Sequence, residues 1–255
     1  MDHDLEQLNR SALRAAELLI AAGEHPGGAS AAVLAEQTNI PRPTAFRILL
    51  SLAHTGLLSR EGGNFRLGWR TGALGRLADP WRDLAPRLQP FLDELANTFN
   101  ESVEFVMFTS NSTQETIAQA SGNRLLAPSH QYVGRSFPLH ASATGKVLLA
   151  EQDTAALAAA LPLELEALTE NTVTSRPVLL EQLQEIKKAG FAVLDGELEE
   201  GLYVIAVPVR NGSGEVVASL SVSGLSLRMT KSGVDYVNRL QQAAAKLAVL
   251  VESGT

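Results

Sequence analysis

The sequence predicts an α+β protein: an N-terminal winged helix-turn-helix, a connector helix, and a C-terminal antiparallel sheet flanked by helices. Three observations carry this. Between residues 9 and 68 the signals run helix, helix, tight turn, helix, hairpin. From residue 101 the apolar period changes from helical to alternating. Positive charge is also concentrated early. Residues 30–76 hold Arg42, Arg47, Arg60, Arg66, Arg70 and Arg76 against only Glu36 and Glu61, in a chain of net charge −7. A basic segment on an acidic body signals a partner.

The elements follow in order. LNRSALRAAELLIA, residues 9–22, has apolar positions at helical spacing and stops at Gly23. HPGG makes a loop, and Ser30 can cap AAVLAEQT by accepting from a free first-turn N–H. Asn39 supplies a tight turn. Pro41 or Pro43 suits the first turn of the next helix, which runs to His54 and ends at Gly56. LLSREGGNFRLG reads as two strands around a Glu-Gly-Gly-Asn turn. In this arrangement Ile48, Leu49, Leu52 and Leu57 face the core. Arg42, Pro43, Thr44 and Arg47 occupy the outer first turns of the helix that would enter a major groove, where guanidinium forks reach guanine edges or phosphates. Arg60, Asn64 and Arg66 on the hairpin would meet the neighbouring backbone or minor groove, with Ser30 beside them. These eight residues are the candidate DNA contacts.

Leu84, Leu88, Leu92, Leu95 and Phe99 give a connector helix within 77–100, kinked or delayed by Pro80, Pro86 and Pro90. The expected division is a reader over 1–76, the connector over 77–100 and a sensor-like domain over 101–255. In the last part SVEFVMFTS and TQETIAQAS alternate as hairpin strands, and RLLAPSHQYV reads as a third strand. HASATGKVLLAEQ, DTAALAAAL and SRPVLLEQLQEIKKAG read as helices, the last with Ser175 as N-cap and Gly190 as C-cap. GFAVLDGELEEGLYVIAVPVR and GEVVASLSVSGL are strands joined by Asn-Gly-Ser-Gly, and 231–252 is a final helix.

Composition narrows the function classes. The chain has 255 residues, 45% apolar and 19% charged, and no cysteine, which excludes disulfides and cysteine nucleophiles. No apolar run approaches the ~18 residues of a membrane helix, and MDHDLEQLNR is not a signal peptide; the expected address is the cytoplasm, away from membranes. HASATGKV lacks the glycine and Ser/Thr of a phosphate loop, since His140 and Val147 hold those places. No G-x-S-x-G or H-E-x-x-H occurs, and the histidines have no ligand spacing. His140 reads as a satisfied polar residue and DGELEE as a solvated loop. No catalytic residue, metal or cofactor is expected.

Five segments together resemble the IclR family of bacterial transcription regulators: SAAVLAEQTNIPRPTAFRILLSLAHTGLL, FRLGWRTGALG, FPLHASATGKVLLA, GFAVLDGELEEGLYVIAVPV and GEVVASLSVSG. The resemblance spans residues 9 to 250. It implies a winged helix-turn-helix joined to a GAF-like effector domain, acting as a dimer or tetramer on double-stranded operator DNA, and read here as a repressor. The other reading is a sensor or hydrolase-like enzyme that does not act on DNA. Carried over residue by residue, the resemblance points to Ala143, Thr144, Leu194, Asp195, Val204, Ser221 and Ser223 as effector-binding, with Leu126 and Ser129 from the preceding strand. Leu194 stands where the family often has aspartate, and Val204 where it often has cysteine. A buried unpaired ligand group costs about 1–3 kcal/mol, so this pair points to a larger or more apolar effector than a two- or three-carbon oxo-acid, such as an aromatic acid or a hydrophobic compound.

Overall fold

The computed structural model describes residues 8–78, 80–110, 112–124, 137–231 and 235–252. It divides into two compact units, Met1–Pro80 and Trp81–Thr255.

In the first unit, α1 (Arg10–Gly23) starts where the Asn9 side chain accepts from the Ser11 and Ala12 amides. A two-residue strand, β1 (Ala29–Ser30), leads into α2 (Ala31–Gln37), whose N-cap is Ser30. Asn39 has φ 52°, a left-handed turn that asparagine tolerates. α3 (Arg42–His54) follows, with Pro43 in its first turn. Strands β2 (Leu58–Glu61) and β3 (Asn64–Leu67) close on Gly62 and Gly63, both at positive φ, as a two-residue hairpin demands. The strand order is β1-β3-β2. Leu18, Leu34, Leu49, Leu58 and Phe65 make its core, with Ile48 and Leu57 packed against it.

The connector helix starts late: it is α5 (Ala85–Phe99), and a further helix that the sequence reading did not indicate, α4 (Trp69–Ala78), precedes it. Pro80 cannot donate an N–H and Pro86 fixes the start of the second helix, so the break falls between them. Pro90 remains inside α5.

The second unit is built on a five-stranded antiparallel sheet, order β5-β4-β8-β7-β6, formed by β4 (Ser102–Ser110), β5 (Thr113–Ala120), β6 (Ala192–Asp195), β7 (Leu202–Arg210) and β8 (Val216–Leu225). The expected strand in RLLAPSHQYV lies outside the described residues. One sheet face, with Phe105, Met107, Val207, Leu220 and Val222, packs on α5 and α10 (Tyr236–Glu252) through Leu88, Leu92, Leu240 and Leu247. The other face is covered by α6 (Ala143–Ala150), and α8 (Arg176–Ala189) packs outside it. A 3₁₀ turn, Leu139–Ala141, precedes α6, and α7 (Thr154–Ala160) follows it with Asp153 as N-cap. α9 (Ser226–Met229) is a short helix that periodicity did not indicate, and the last helix begins five residues later than expected. Ser175 precedes α8 but makes no side-chain cap, whereas Gly190 ends it at φ 75°.

Leu49 is fully buried between the helices of the first unit. Leu49→Ala is expected to cost about 2–5 kcal/mol, read as a lowered urea midpoint of that unit.

Candidate DNA-reading face and effector cavity

The α3 surface is divided by its 3.6-residue period. Ala45, Leu49 and Leu52 turn inward, while Arg42, Pro43, Phe46 and Arg47 are exposed and Thr44 is half-buried. Arg42 and Arg47 make no ion pair or side-chain hydrogen bond among the described residues, so both forks are available. The first-turn N–H groups beside them add a positive helix end. The hairpin arginines are engaged within the protein. The Arg60 guanidinium lies 5.5 Å from the Phe46 ring centre and 5.7 Å from that of Phe65. Arg66 bonds Ser59 and pairs with Glu61. Asn64 is exposed beside the turn, and the Ser30 hydroxyl accepts from the Val33 amide at 3.3 Å. Phe46 was not singled out from the sequence, yet it sets the position of Arg60 by a cation–π contact.

In the second unit, alternation on β4 and β8 aims Glu104, Val106, Ser221 and Ser223 at the face beneath α6. There they meet Ala143, Thr144, Leu194 and Val204 around one cavity, with Gln114, Thr116, Phe137, Ser142, Leu198 and Leu202 completing the lining. Its volume is about 50 Å³. Six of the carried-over positions, Ala143, Thr144, Leu194, Val204, Ser221 and Ser223, therefore converge. Asp195 does not: one residue beyond Leu194 it faces the opposite way, exposed, where its carboxylate accepts from the Ser226 hydroxyl at 2.6 Å. Leu126 and Ser129 lie outside the described residues.

The cavity holds a group that the sequence reading missed. Glu104 is 7% exposed, and its two oxygens accept from Ser221 at 3.1 Å and Ser223 at 2.9 Å. Burial raises its pKa from 4.5 to about 7, against the two serine bonds that favour the ion. Beside it the Gln114 amide donates to Ser142, while the Gln114 Oε1 is buried with no partner among the described residues. No lysine, arginine or histidine is among the described lining residues.

The loop after β6 also departs from expectation. Glu197 is buried rather than solvated, and pairs with the buried Lys146 of α6 at 2.5 Å; Lys146 also donates to Gln182 on α8. Asp195, Glu199 and Glu200 stay exposed. His140 is buried, its Nε2–H donating to the Glu166 carbonyl at 2.9 Å. At Gly145 a Cβ would lie 2.5 Å from the Leu139 carbonyl, which explains glycine at the tight start of α6. No cluster of three metal-ligating side chains occurs among the described residues, and no helix there is long and apolar enough to cross a membrane.

Glu104 gives stability a definite pH dependence. Its folded pKa lies above the unfolded value, so the fold holds the proton more tightly. The contribution is full below pH 4.5 and is lost as pH rises through about 7; the difference is worth about 3 kcal/mol. Glu104→Gln should flatten the rise in urea sensitivity between pH 5 and pH 8.

Comparison with known proteins agrees with both halves. The model of the IclR helix-turn-helix domain matches residues 11–62, and that of the C-terminal domain of bacterial IclR transcriptional regulators matches residues 81–249. An HTH-type transcriptional regulator of Mycobacterium tuberculosis is 36% identical over 208 residues, covering 80% of this chain and 78% of its own length. The crystal structure of a transcriptional regulator from Rhodococcus superposes with TM-score 0.76 at 26% identity, covering 97% of this chain and 100% of that one. A double mutant of the PobR inducer-binding domain from Acinetobacter, in complex with 3-hydroxybenzoic acid, superposes with TM-score 0.58 at 26% identity over 65% of this chain and 97% of its own. With an exposed arginine-bearing helix in one unit and a covered cavity in the other, this chain belongs to the IclR family of DNA-binding transcriptional regulators.

Proposed function

We propose that the protein is an effector-responsive repressor whose C-terminal cavity takes a small aromatic or otherwise apolar molecule and thereby alters operator binding. The observation that carries this is the cavity wall. Leu194 and Val204 are paired across β6 and β7, and with Val106, Leu198, Leu202, Phe137 and Ala143 they leave mainly apolar surface for a ligand. A cavity of about 50 Å³ holds only roughly four waters, so a ring-sized ligand requires it to widen. Widening presses on α6 and on the loop after β6. A ligand that binds the widened form better shifts the equilibrium by its differential affinity, typically about 1–3 kcal/mol. The PobR domain in complex with 3-hydroxybenzoic acid is a relative whose ligand fits this class.

In the reader, Arg42, Pro43, Thr44 and Arg47 would enter the major groove, with Ser30, Arg60, Asn64 and Arg66 along the phosphates. Action on double-stranded operator DNA places the protein in the cytoplasm. A homodimer, or a homotetramer built from two dimers, agrees with the apolar side chains that the first unit leaves in solvent. Ile20 on α1 is 67% exposed, and Trp69 and Leu77 on α4 are 72% and 78% exposed.

Arg47→Ala is expected to weaken operator binding roughly 10-fold or more in a gel shift and to lower the salt dependence, because fewer counterions are released. Unchanged binding would remove Arg47 from the interface and favour a sensor that does not act on DNA. In a thermal-shift screen, an aromatic ligand at 100 times its Kd should add about 2.7 kcal/mol of stability. Hits confined to two- and three-carbon oxo-acids would refute the apolar assignment.

A further inference from the structure

We propose that the cavity selects its ligand through a hydrogen-bond donor, taking a non-acidic alcohol or phenol on an apolar frame, with Glu104 as the specificity-determining residue and Gln114 as a second acceptor. This rests on the reading of the cavity as the effector site and narrows it, setting carboxylic acids aside.

Two acceptors of the cavity, Glu104 and the Gln114 oxygen, have room for a further donor. Ser221 and Ser223 direct their hydroxyl protons at Glu104. The Gln114 amide N–H₂ is directed at Ser142, and its oxygen is buried without a partner among the described residues. A carboxylate has about four acceptor positions, and the serines fill two. Buried acceptors without donors are costly, and the cost is removed when a ligand supplies the proton. An anionic ligand does the reverse. Above about pH 7, where Glu104 is ionised, it sets a second carboxylate beside Glu104, in a cavity with no cationic side chain among its described lining residues. Lys146, the cation of the adjoining α6, is held by Glu197 and Gln182.

The N-terminal end of α6 sharpens the choice. Ala143 and Thr144, its first two residues, also line the cavity, and a helix N-terminus favours an acceptor atom. A hydroxyl group does both: its proton can go to Glu104 or Gln114 while its oxygen faces the helix end. A bare hydrocarbon leaves both acceptors unpaired, and a carboxylate satisfies the helix end only by opposing Glu104.

Isothermal titration of the full-length protein at pH 8.5, where Glu104 is ionised, with benzyl alcohol and benzoate, which share a ring and differ in the polar group, tests this. The wild type is expected to bind benzyl alcohol at least about tenfold more tightly than benzoate, since apposed like charges cost more than that ratio. In Glu104→Gln the gap should close to within about threefold, mainly by gain of benzoate binding. Benzoate bound by the wild type as tightly as benzyl alcohol, or more so, overturns the inference while leaving an aromatic effector standing; this arm needs no variant to fold. Binding of pyruvate or glyoxylate, with neither ring compound bound, overturns the aromatic reading itself and the inference with it.

Discussion

The constraint on which the second unit depends is the two-residue period of β4 and β8. Each strand serves two different interiors at once. Phe105, Met107, Leu220 and Val222 enter the dry layer against α5 and α10. Glu104, Val106, Ser221 and Ser223 face the cavity under α6. A register slip of one residue would exchange the two sets, placing a carboxylate and two hydroxyls in the dry layer and opening the cavity to phenylalanine. The ladder pairs Glu104 with Ser221, and Val204 with Ser223. Register and polar network therefore enforce one another. The serines that pin Glu104 are the residues its strand must sit beside.

The cavity is closed by a second interaction of a different kind. Lys146 points from α6 to Glu197 on the loop that also supplies Leu198 to the cavity. Both partners are buried, so removing either leaves an uncompensated charge, a loss of about 3–5 kcal/mol. The pair adds little net stability over an apolar substitute of equal volume, but it fixes where the loop sits. Thr169 and Thr172 bind the same loop through the Gly196 and Glu197 carbonyls. The loop is thus held at α6 by charge and at the 169–172 turn by hydroxyls. Any ligand that enlarges the cavity must work against a defined set of bonds rather than a loose flap.

Most of the fold was legible because its signals are local. The Asn39 turn, the Gly62-Gly63 hairpin and the alternation of SLSVSG each report on their own neighbourhood. Proline chemistry did so only in part: three prolines in the connector indicated a disturbed helix, but not that Pro80 and Pro86 would bracket a break. The cavity was legible where the family resemblance supplied its positions, as at Leu194 and Val204, and side-chain alternation had still to be applied to them. The same rule excludes Asp195, which shares the segment but faces out. Glu104 was hidden for the converse reason. In SVEFVMF an alternating glutamate reads as the wet face of a half-exposed strand, and only the packing of α6 over that face turns it into a buried group. Glu197 was obscured in the same way by its acidic neighbours, since its partner Lys146 lies 51 residues away in sequence.

Charge distribution also bears on how such a reader holds DNA. Six arginines lie between residues 30 and 76, but they are not equivalent. Arg66 is neutralised by Glu61, and Arg60 is laid over two aromatic rings, which fixes its direction at the expense of its reach. Arg42 and Arg47 remain as uncommitted forks at the helix start. Each phosphate neutralised contributes about 0.9 to the salt exponent, so one reader with two to four such contacts supplies only a shallow electrostatic term. The remaining residues, 77–255, are acidic on balance and add nothing to it. On the proposed reading, tight operator binding by this chain comes from base-edge contacts near Arg47 and from more than one reader engaging the same duplex. Two linked readers add their exponents and convert the second encounter into an intramolecular one. A weakly basic reader is thereby suited to control, because a small change in the spacing of two readers removes the gain from linkage without altering any single contact.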